Sequence, residues 1–248
     1  MNTVVELVET TAVYTAMQYL FEFMSLIQIT SEISYLPSVE NPLSSDVVFI
    51  KPSGSDTTWI FDVGTSAEAA QIINDIEGKK NIVISHFHPD HILNLLKVKC
   101  DNLYVTKYTK KYTRAGTIVD EEISFPDGIQ IYQIPSSHSK GSLALKYKDY
   151  VFLGDATYCK FRLNAREYNV QLLEQMISRM EEIEAPNFCL SHDKTFVQPK
   201  ESVIRIYKKI LARRVNGNPT INVNDFFNED GGVKESEDSL GNNVKVKI

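Results

Sequence analysis

Three of the chain's five histidines stand within six residues, in His86-Phe87-His88-Pro89-Asp90-His91. The other two, His138 and His192, each follow an apolar run and a serine: Ile134-Pro135-Ser136-Ser137-His138 and Phe188-Cys189-Leu190-Ser191-His192. Neutral imidazole with carboxylate is the donor set that suits zinc and its neighbours, so the pattern points to metal chemistry. With so few histidines, a shared role explains these similar settings better than coincidence. Two surface histidines with Asp90 as a helix cap is the plain alternative, and it leaves the density of ligand types unexplained.

The elements around the motif support this reading. Asn81-Ile82-Val83-Ile84 is a short β-branched run, as expected of a buried strand. His86 and His88 follow it two residues apart, so in extended chain they project the same way. Pro89 ends the extended pairing. Asp90 and His91 then open Ile92-Leu93-Asn94-Leu95-Leu96, which reads as the first turns of a helix.

Upstream, Val47–Ile50 and Thr57–Phe61 are two strands joined by the turn-rich Pro52-Ser53-Gly54-Ser55-Asp56. Asp62 and Gly64 end the second strand. Thr65 or Ser66 caps a helix with Glu68 in its first turn and Ala69, Ile72, Ile73 and Ile76 as its buried stripe. Downstream, Leu103–Val105 and Ile129–Ile134 are strands, the second alternating cleanly towards His138. Ser142–Tyr147 and Tyr150–Leu153 form a hairpin around Lys148-Asp149 that ends at Gly154-Asp155. A helix is expected from Asn164 or Ala165 to Glu184, with Leu172, Leu173, Met176, Ile177, Met180 and Ile183 on one face. Phe188–Leu190 is the last strand before His192. A closing helix after Pro199 carries Val203, Ile206, Tyr207, Ile210 and Leu211. This order suits sheets packed in two layers with helices outside.

The ordered set His86, His88, Asp90, His91, His138, Asp155 and His192 resembles the signature of the metallo-β-lactamase-fold hydrolases, glyoxalase-like or lactonase-like members in particular. Phe61-Asp62-Val63-Gly64 matches the family's upstream Asp-x-Gly, and the resemblance covers about residues 45–195. It implies an α/β fold, a four-layer αββα sandwich. It also implies two metals: one on His86, His88 and His138, the other on Asp90, His91 and His192, with Asp155 between them. Zinc, two ions per chain, is the expected metal, with iron or manganese as alternatives. Asp90 would also orient a metal-bridging hydroxide, and Asp62 would hold a ligand histidine in the right tautomer. In lactonases a Tyr three residues past the bridging Asp bonds the substrate carbonyl. Tyr158 has that spacing, so either a catalytic donor or a tyrosine packed near the site is expected there.

Some subtypes fit less well. Many β-lactamases of this fold have a Cys or no ligand at the Asp155 position. The polar stretch after His192 does not resemble the helical glutathione-binding domain of hydroxyacylglutathione hydrolases. No RNA-binding arm is visible. Flavin-linked di-iron relatives replace the second His of the motif with an acid, whereas His88 is intact.

Composition bounds the rest. The chain of 248 residues is 43% hydrophobic and 23% charged, as in an ordinary globular protein. A net charge of −6 argues against broad nucleic-acid or anionic-membrane binding. Cys100, Cys159 and Cys189 are too few and scattered for a disulfide framework and fit a reducing compartment. No Lys or Arg precedes Lys51, so the basic start of a secretory signal is missing, and a cytoplasmic location is expected. Polar residues interrupt Ala12–Ile29, which makes a poor membrane span. There Val13, Met17, Leu20, Met24 and Ile27 recur at helical spacing, and an amphipathic helix is expected, although the same segment read as a strand alternates almost as well. Tyr14, Tyr19, Phe21 and Phe23 suit core packing, with a substrate pocket or homodimer contact as alternatives. Lys107, Lys110, Lys111 and Arg114, interleaved with Tyr108 and Tyr112, read as a solvated face or a phosphate site. The expected organisation is one domain over residues 1–214, atypical over 1–45, and a polar tail over 215–248 that is flexible in part.

The sequence thus points to a binuclear zinc hydrolase acting on a small ester, lactone or thioester. A metal-dependent phosphodiesterase, a non-catalytic metal-binding protein of the same fold and an iron-dependent oxidative enzyme are the alternatives.

Overall fold

The computed structural model describes residues 26–226. Two sheets lie face to face. The first has seven strands: β1 (Ile27–Thr30), β2 (Ile33–Leu36), β5 (Val47–Ile50), β6 (Thr57–Phe61), β7 (Lys79–Val83), β8 (Asn102–Val105) and β9 (Thr117–Ile118), in that spatial order. A small hairpin, β3 (Val39–Glu40) and β4 (Leu43–Ser44), precedes β5. The second sheet has six strands in the order β10 (Ile123–Ser124), β11 (Ile129–Ile134), β12 (Ser142–Tyr147), β13 (Tyr150–Phe152), β16 (Asn187–Cys189) and β17 (Val197–Pro199). A third, three-stranded sheet joins β14 (Lys160–Arg162), β15 (Ala165–Asn169) and β18 (Thr220–Asn222).

Alternation along the strands creates the layers. Val48, Ile50, Trp59, Phe61 and Val83 of the first sheet meet Ile129, Ile131, Leu143, Leu145 and Phe152 of the second in one inter-sheet core. Their neighbours Val47, Phe49, Ile60 and Ile82 point outward onto Ala69 and Ile73 of helix α1 (Ala67–Asp75). On the far side Ala144 and Val151 pack on α4 (Val170–Glu182) and α5 (Lys200–Ala212), through Leu173, Met176, Ile177, Val203, Tyr207 and Ile210. The two short helices α2 (Pro89–Ile92) and α3 (Lys110–Thr113) lie in the first half of the chain. The result is the four-layer αββα sandwich. Among the described residues no helix is long and apolar enough to cross a membrane.

Three expectations are corrected. Ile27 lies in β1, paired with Tyr35, and not on a helical stripe; Val13, Met17, Leu20 and Met24 lie outside the described residues. The helix expected from Asn164 or Ala165 begins only at Val170, because Ala165–Asn169 is β15, held between β14 and β18. Asn169 sets that start: its side chain accepts the Leu172 N–H at 2.9 Å and so caps the helix. After Arg214 the polar stretch is not all tail, since β18 pairs with β15, Ile221 and Val223 are buried, and Phe226 packs against the same core. Residues 227–248 lie outside the described part.

Candidate metal centre

The strands deliver the polar groups to one edge of the sandwich. Asp62 follows β6, His86 follows β7, His138 follows β11, Asp155 follows β13 and His192 follows β16. β6 runs parallel to β7, and β13 parallel to β16, so these C-terminal ends gather together. All seven expected ligands meet there. His86, His88 and His138 form one group able to hold a metal ion, and Asp90, His91, Asp155 and His192 form another, each with ligand atoms within 4.8 Å of one another.

The distances define the site. His88 Nδ1 is 2.9 Å from both His86 Nε2 and His138 Nε2. In the second group His192 Nε2 and His91 Nε2 lie 3.1 and 3.3 Å from Asp90 Oδ2. Asp155 Oδ2 stands between the groups, 3.4 Å from His91 Nε2, 3.5 Å from His138 Nε2 and 4.0 Å from His86 Nε2. The side chains of His86, His91 and Asp155 are at most 6% exposed, while those of His138, His192 and Asp90 keep 21, 18 and 13%. The open side of the centre is therefore the side of these last three and of the part-buried His88.

The residues fit a metal. Three imidazole nitrogens converge in the first group, and one shared proton cannot satisfy them all. His91 Nε2 and Asp155 Oδ1 are buried with no hydrogen-bond partner, an unfavourable state that a cation bound there relieves. Electrostatics agree. Burial pushes the His86 and His88 imidazoles below their ordinary value, towards the neutral form that binds metal. At His91 burial works the same way, but the carboxylates of Asp155 and Asp62 overcome it and raise the imidazole well above its usual value. His192 is raised despite burial by its hydrogen bond with Asp90. Asp90 and Asp155 are held below the usual carboxylate range: burial opposes ionisation, and the surrounding histidines outweigh it. The second group is thus a place that favours positive charge.

Supporting residues fix the ligands from behind. Asp62, buried and at φ 61°, accepts the Ser85 N–H at 2.7 Å with one oxygen and faces His91 Nδ1 at 2.7 Å with the other. This is the support expected of the Asp-x-Gly motif. Gly154 lets β13 reach Asp155: its φ is 55°, and a Cβ there would lie 2.7 Å from Ser85 Cβ. Two supporting residues escaped the sequence reading. Ser85 places its hydroxyl 3.0 Å from His86 Nδ1 and 3.3 Å from His91 Nδ1. Asp46, almost fully buried, accepts from the His192 N–H at 2.8 Å, the Ser191 hydroxyl at 3.2 Å and the Ser38 N–H at 3.0 Å. It holds the loop in which His192 adopts φ 59°. The polar run Ser44-Ser45-Asp46 before an apolar strand was the only signal for it.

Tyr158 lies beside the site, its ring 6.0 Å from that of His138. Its hydroxyl donates to the Ser191 carbonyl at 2.6 Å. All three cysteines are free, and Cys159 turns its carbonyl, not its sulfur, to His138 Nδ1 at 3.4 Å.

Comparisons with known proteins agree with this architecture. The family model described as the metallo-beta-lactamase superfamily matches residues 41–102. Among solved structures, a B3 metallo-β-lactamase with an active-site glutamic acid superposes with a TM-score of 0.56 at 12% identity, over 77% of this chain and 90% of its own. A metallo-β-lactamase from Hirschia baltica gives 0.54 at 14%, over 75% and 96%. A chemotaxis sensor described with a peroxy di-iron species gives 0.53 at 14%, over 75% and 94%. No curated protein sequence matches the chain. At such low identity the superpositions speak for the fold, and the family match falls on the stretch that holds Asp62, His86, His88, Asp90 and His91 in this geometry. Over residues 41–102 the chain matches the metallo-beta-lactamase superfamily model, and its fold is that of the superposed metallo-β-lactamases.

Proposed function

We propose that this chain is a hydrolase with a binuclear metal centre, zinc in the first instance, that cleaves a small ester, lactone or thioester. The single observation that carries this reading is the position of Asp155, whose Oδ2 lies within 3.5 Å of nitrogens from both ligand groups. A carboxylate shared by two clusters fixes the distance between two ions. When bound, the metals supply Lewis-acid polarisation of the substrate and bring the pKa of water towards neutrality.

The chain's own groups do the rest. His86, His88 and His138 would hold one ion, and Asp90, His91 and His192 the other. Asp62 keeps the proton of His91 on Nδ1, so that Nε2 faces the centre. Asp90 is the more exposed of the two carboxylates and stands on the open side, where it orients the attacking water. Asp46 and Tyr158 hold the two ends of the Ser191–His192 peptide, one at its N–H and the other at its carbonyl, which restrains this ligand as substrate enters.

The test is a turnover assay of the metal-loaded protein on simple lactones and thioesters beside an activated phosphodiester, with a chelated control. Chelator-sensitive cleavage of the carbonyl substrates is the expected result. Cleavage of the phosphodiester alone overturns the substrate class, and absence of turnover on every substrate overturns the hydrolase.

A further inference from the structure

The segment from Lys107 to Arg114 carries Lys107, Lys110, Lys111 and Arg114, and the structure ties it to both loops of the first ligand group. On one side Tyr112 stacks on Phe87, ring centroids 4.7 Å apart and planes 8° from parallel. Phe87 stands between His86 and His88, its ring 5.0 Å from that of His88. On the other side Tyr108 closes over Gly141, three residues past His138; a Cβ there would lie 2.5 Å from Tyr108 Cδ2. The buried hydroxyls of Thr106 and Thr109, 3.2 Å apart, pin the turn between these contacts. The basic segment is thus packed against the two loops that carry the first ligand group.

Among the described residues the lysines here form no ion pair. Lys107 Nζ and Lys111 Nζ sit over the Tyr108 ring, 5.5 and 5.8 Å from its centroid. Lys140, exposed, immediately precedes the Gly141 that Tyr108 covers. Among the described residues no carboxylate oxygen lies within 4.0 Å of any of these three ammonium groups. On and beside the outer helices Arg179 pairs with Glu122 and Glu182, Lys208 with Glu181, and Arg214 with Glu174, while Arg205 and Lys209 form no ion pair among the described residues. An ordinary solvated face intersperses signs in this second way, because like charges in one place repel. Two lysines over one aromatic ring, with no ion pair among the described residues, repel one another unless an anion visits them.

We propose that Lys107, Lys111 and Lys140 form an anion-binding subsite that holds a phosphoryl or carboxylate group of the substrate, set off from the bond to be cut. It rests on the reading of the two ligand groups as the reactive centre. Lysine suits such a subsite, since each ammonium is a point charge on a flexible stem and adapts to an oxyanion without imposing the planar fork of arginine. The face of the Tyr108 ring attracts both ammonium groups and so keeps the two charges near one another.

The experiment measures binding, so it does not depend on turnover. Phenyl phosphate, benzoate and benzyl alcohol are titrated by ligand-observed NMR into the metal-loaded protein and into the triple variant Lys107→Ala, Lys111→Ala, Lys140→Ala. A control variant, Lys51→Ala, Lys97→Ala, Lys99→Ala, removes the same charge elsewhere. The expected result is phenyl phosphate binding weakened about tenfold in the subsite variant, less than about twofold in the control, and unchanged binding of benzyl alcohol. Benzoate weakened in the same ratio means that the subsite takes carboxylates as well; benzoate unaffected narrows it to phosphoryl groups. Equal phenyl phosphate affinity in wild type and subsite variant, an equal loss in the control, or no binding to wild type overturns the subsite. Should the alanine variant lose its circular-dichroism spectrum, the corresponding Lys→Gln triple is judged by the same criteria. Lysine-dependent binding without turnover on any ester would remove the hydrolase and leave the subsite standing.

Discussion

Asp62 Oδ2 lies 2.7 Å from His91 Nδ1, and both side chains are cut off from solvent. The other oxygen of Asp62 takes the Ser85 N–H at 2.7 Å, so one carboxylate fixes both the tautomer of a ligand and the backbone where the metal motif begins. The first consequence concerns metal affinity. In Asp62→Asn the shape is kept and the charge is lost, and asparagine tolerates the left-handed φ at this position. Metal affinity should fall about 10- to 100-fold, with little change in circular dichroism. Competition against a chromogenic chelator measures this, and an unchanged affinity would show that His91 is oriented by something else.

Asp155 and His88 test the two-ion arrangement separately. His88 belongs to one ligand group, whereas Asp155 touches both. His88→Ala should bind one ion in place of two, and Asp155→Ala should weaken both sites. Turnover of whichever ester the wild type cleaves should drop by at least about a hundredfold in each variant. Metal content by atomic emission, set beside turnover of the same samples, checks both. Full activity in both variants would remove the ligand assignment.

A surface pair links the sheets and sets a pH dependence. Glu32, in the turn between β1 and β2, is bonded to Lys148, in the turn between β12 and β13, and also accepts the Ser53 N–H at 2.9 Å. The hydrogen bonds from Lys148 and Ser53 lower the Glu32 carboxyl from 4.5 to about 2. The folded value is below the unfolded one. Its contribution is therefore complete above about pH 5 and disappears as pH falls through the window from 4.5 to 2. Urea unfolding between pH 6 and pH 2 should show a shallower acid loss for Glu32→Gln than for wild type. Because the pair is at the surface, added salt should shrink the difference. Parallel pH profiles for the two proteins would mean that the pair contributes nothing.

What was legible in the sequence follows the range of the interactions. The strands were legible as runs: Val47–Ile50 is wholly apolar and is buried on both faces, and the alternation of Ile129–Ile134 shows in Ile129 and Ile131 facing the inter-sheet core. The histidines were legible because imidazole is rare in this chain, so each one carried information. Ala165–Asn169 was not, since its strand character depends on β14 and on β18, and β18 lies some fifty residues later in a stretch whose composition suggested a tail. Asp46 was not legible either: its partners Ser191 and His192 are 145 and 146 residues away, and no local pattern marks a buried acid as the support of a distant loop. Short-range periodicity and ligand chemistry can be read from one sequence. Pairing between distant segments cannot, because neither partner encodes the other's position.

Tyr158 gives a test in which two roles differ by orders of magnitude. Its spacing from Asp155 suits a donor to the substrate oxyanion, yet its single proton is given to the Ser191 carbonyl at 2.6 Å. Burial, followed by the nearby Asp155 carboxylate, pushes the phenol well above its usual value, so it stays protonated and the bond persists. If the hydroxyl serves only to hold the loop before His192, Tyr158→Phe loses one buried hydrogen bond and leaves a carbonyl unpaired, a cost of about 1–3 kcal/mol in stability. Turnover should then fall by less than about tenfold, through a slightly looser His192, with KM nearly unchanged. An oxyanion donor behaves otherwise: its removal costs about 100- to 1000-fold in kcat. The structure favours the smaller effect, because a donor role requires the Ser191 bond to break each time substrate binds. Measuring kcat and unfolding free energy on the same Tyr158→Phe preparation separates the two. A large loss of kcat in a protein of unchanged stability would mean that the hydroxyl leaves Ser191 and turns to the substrate.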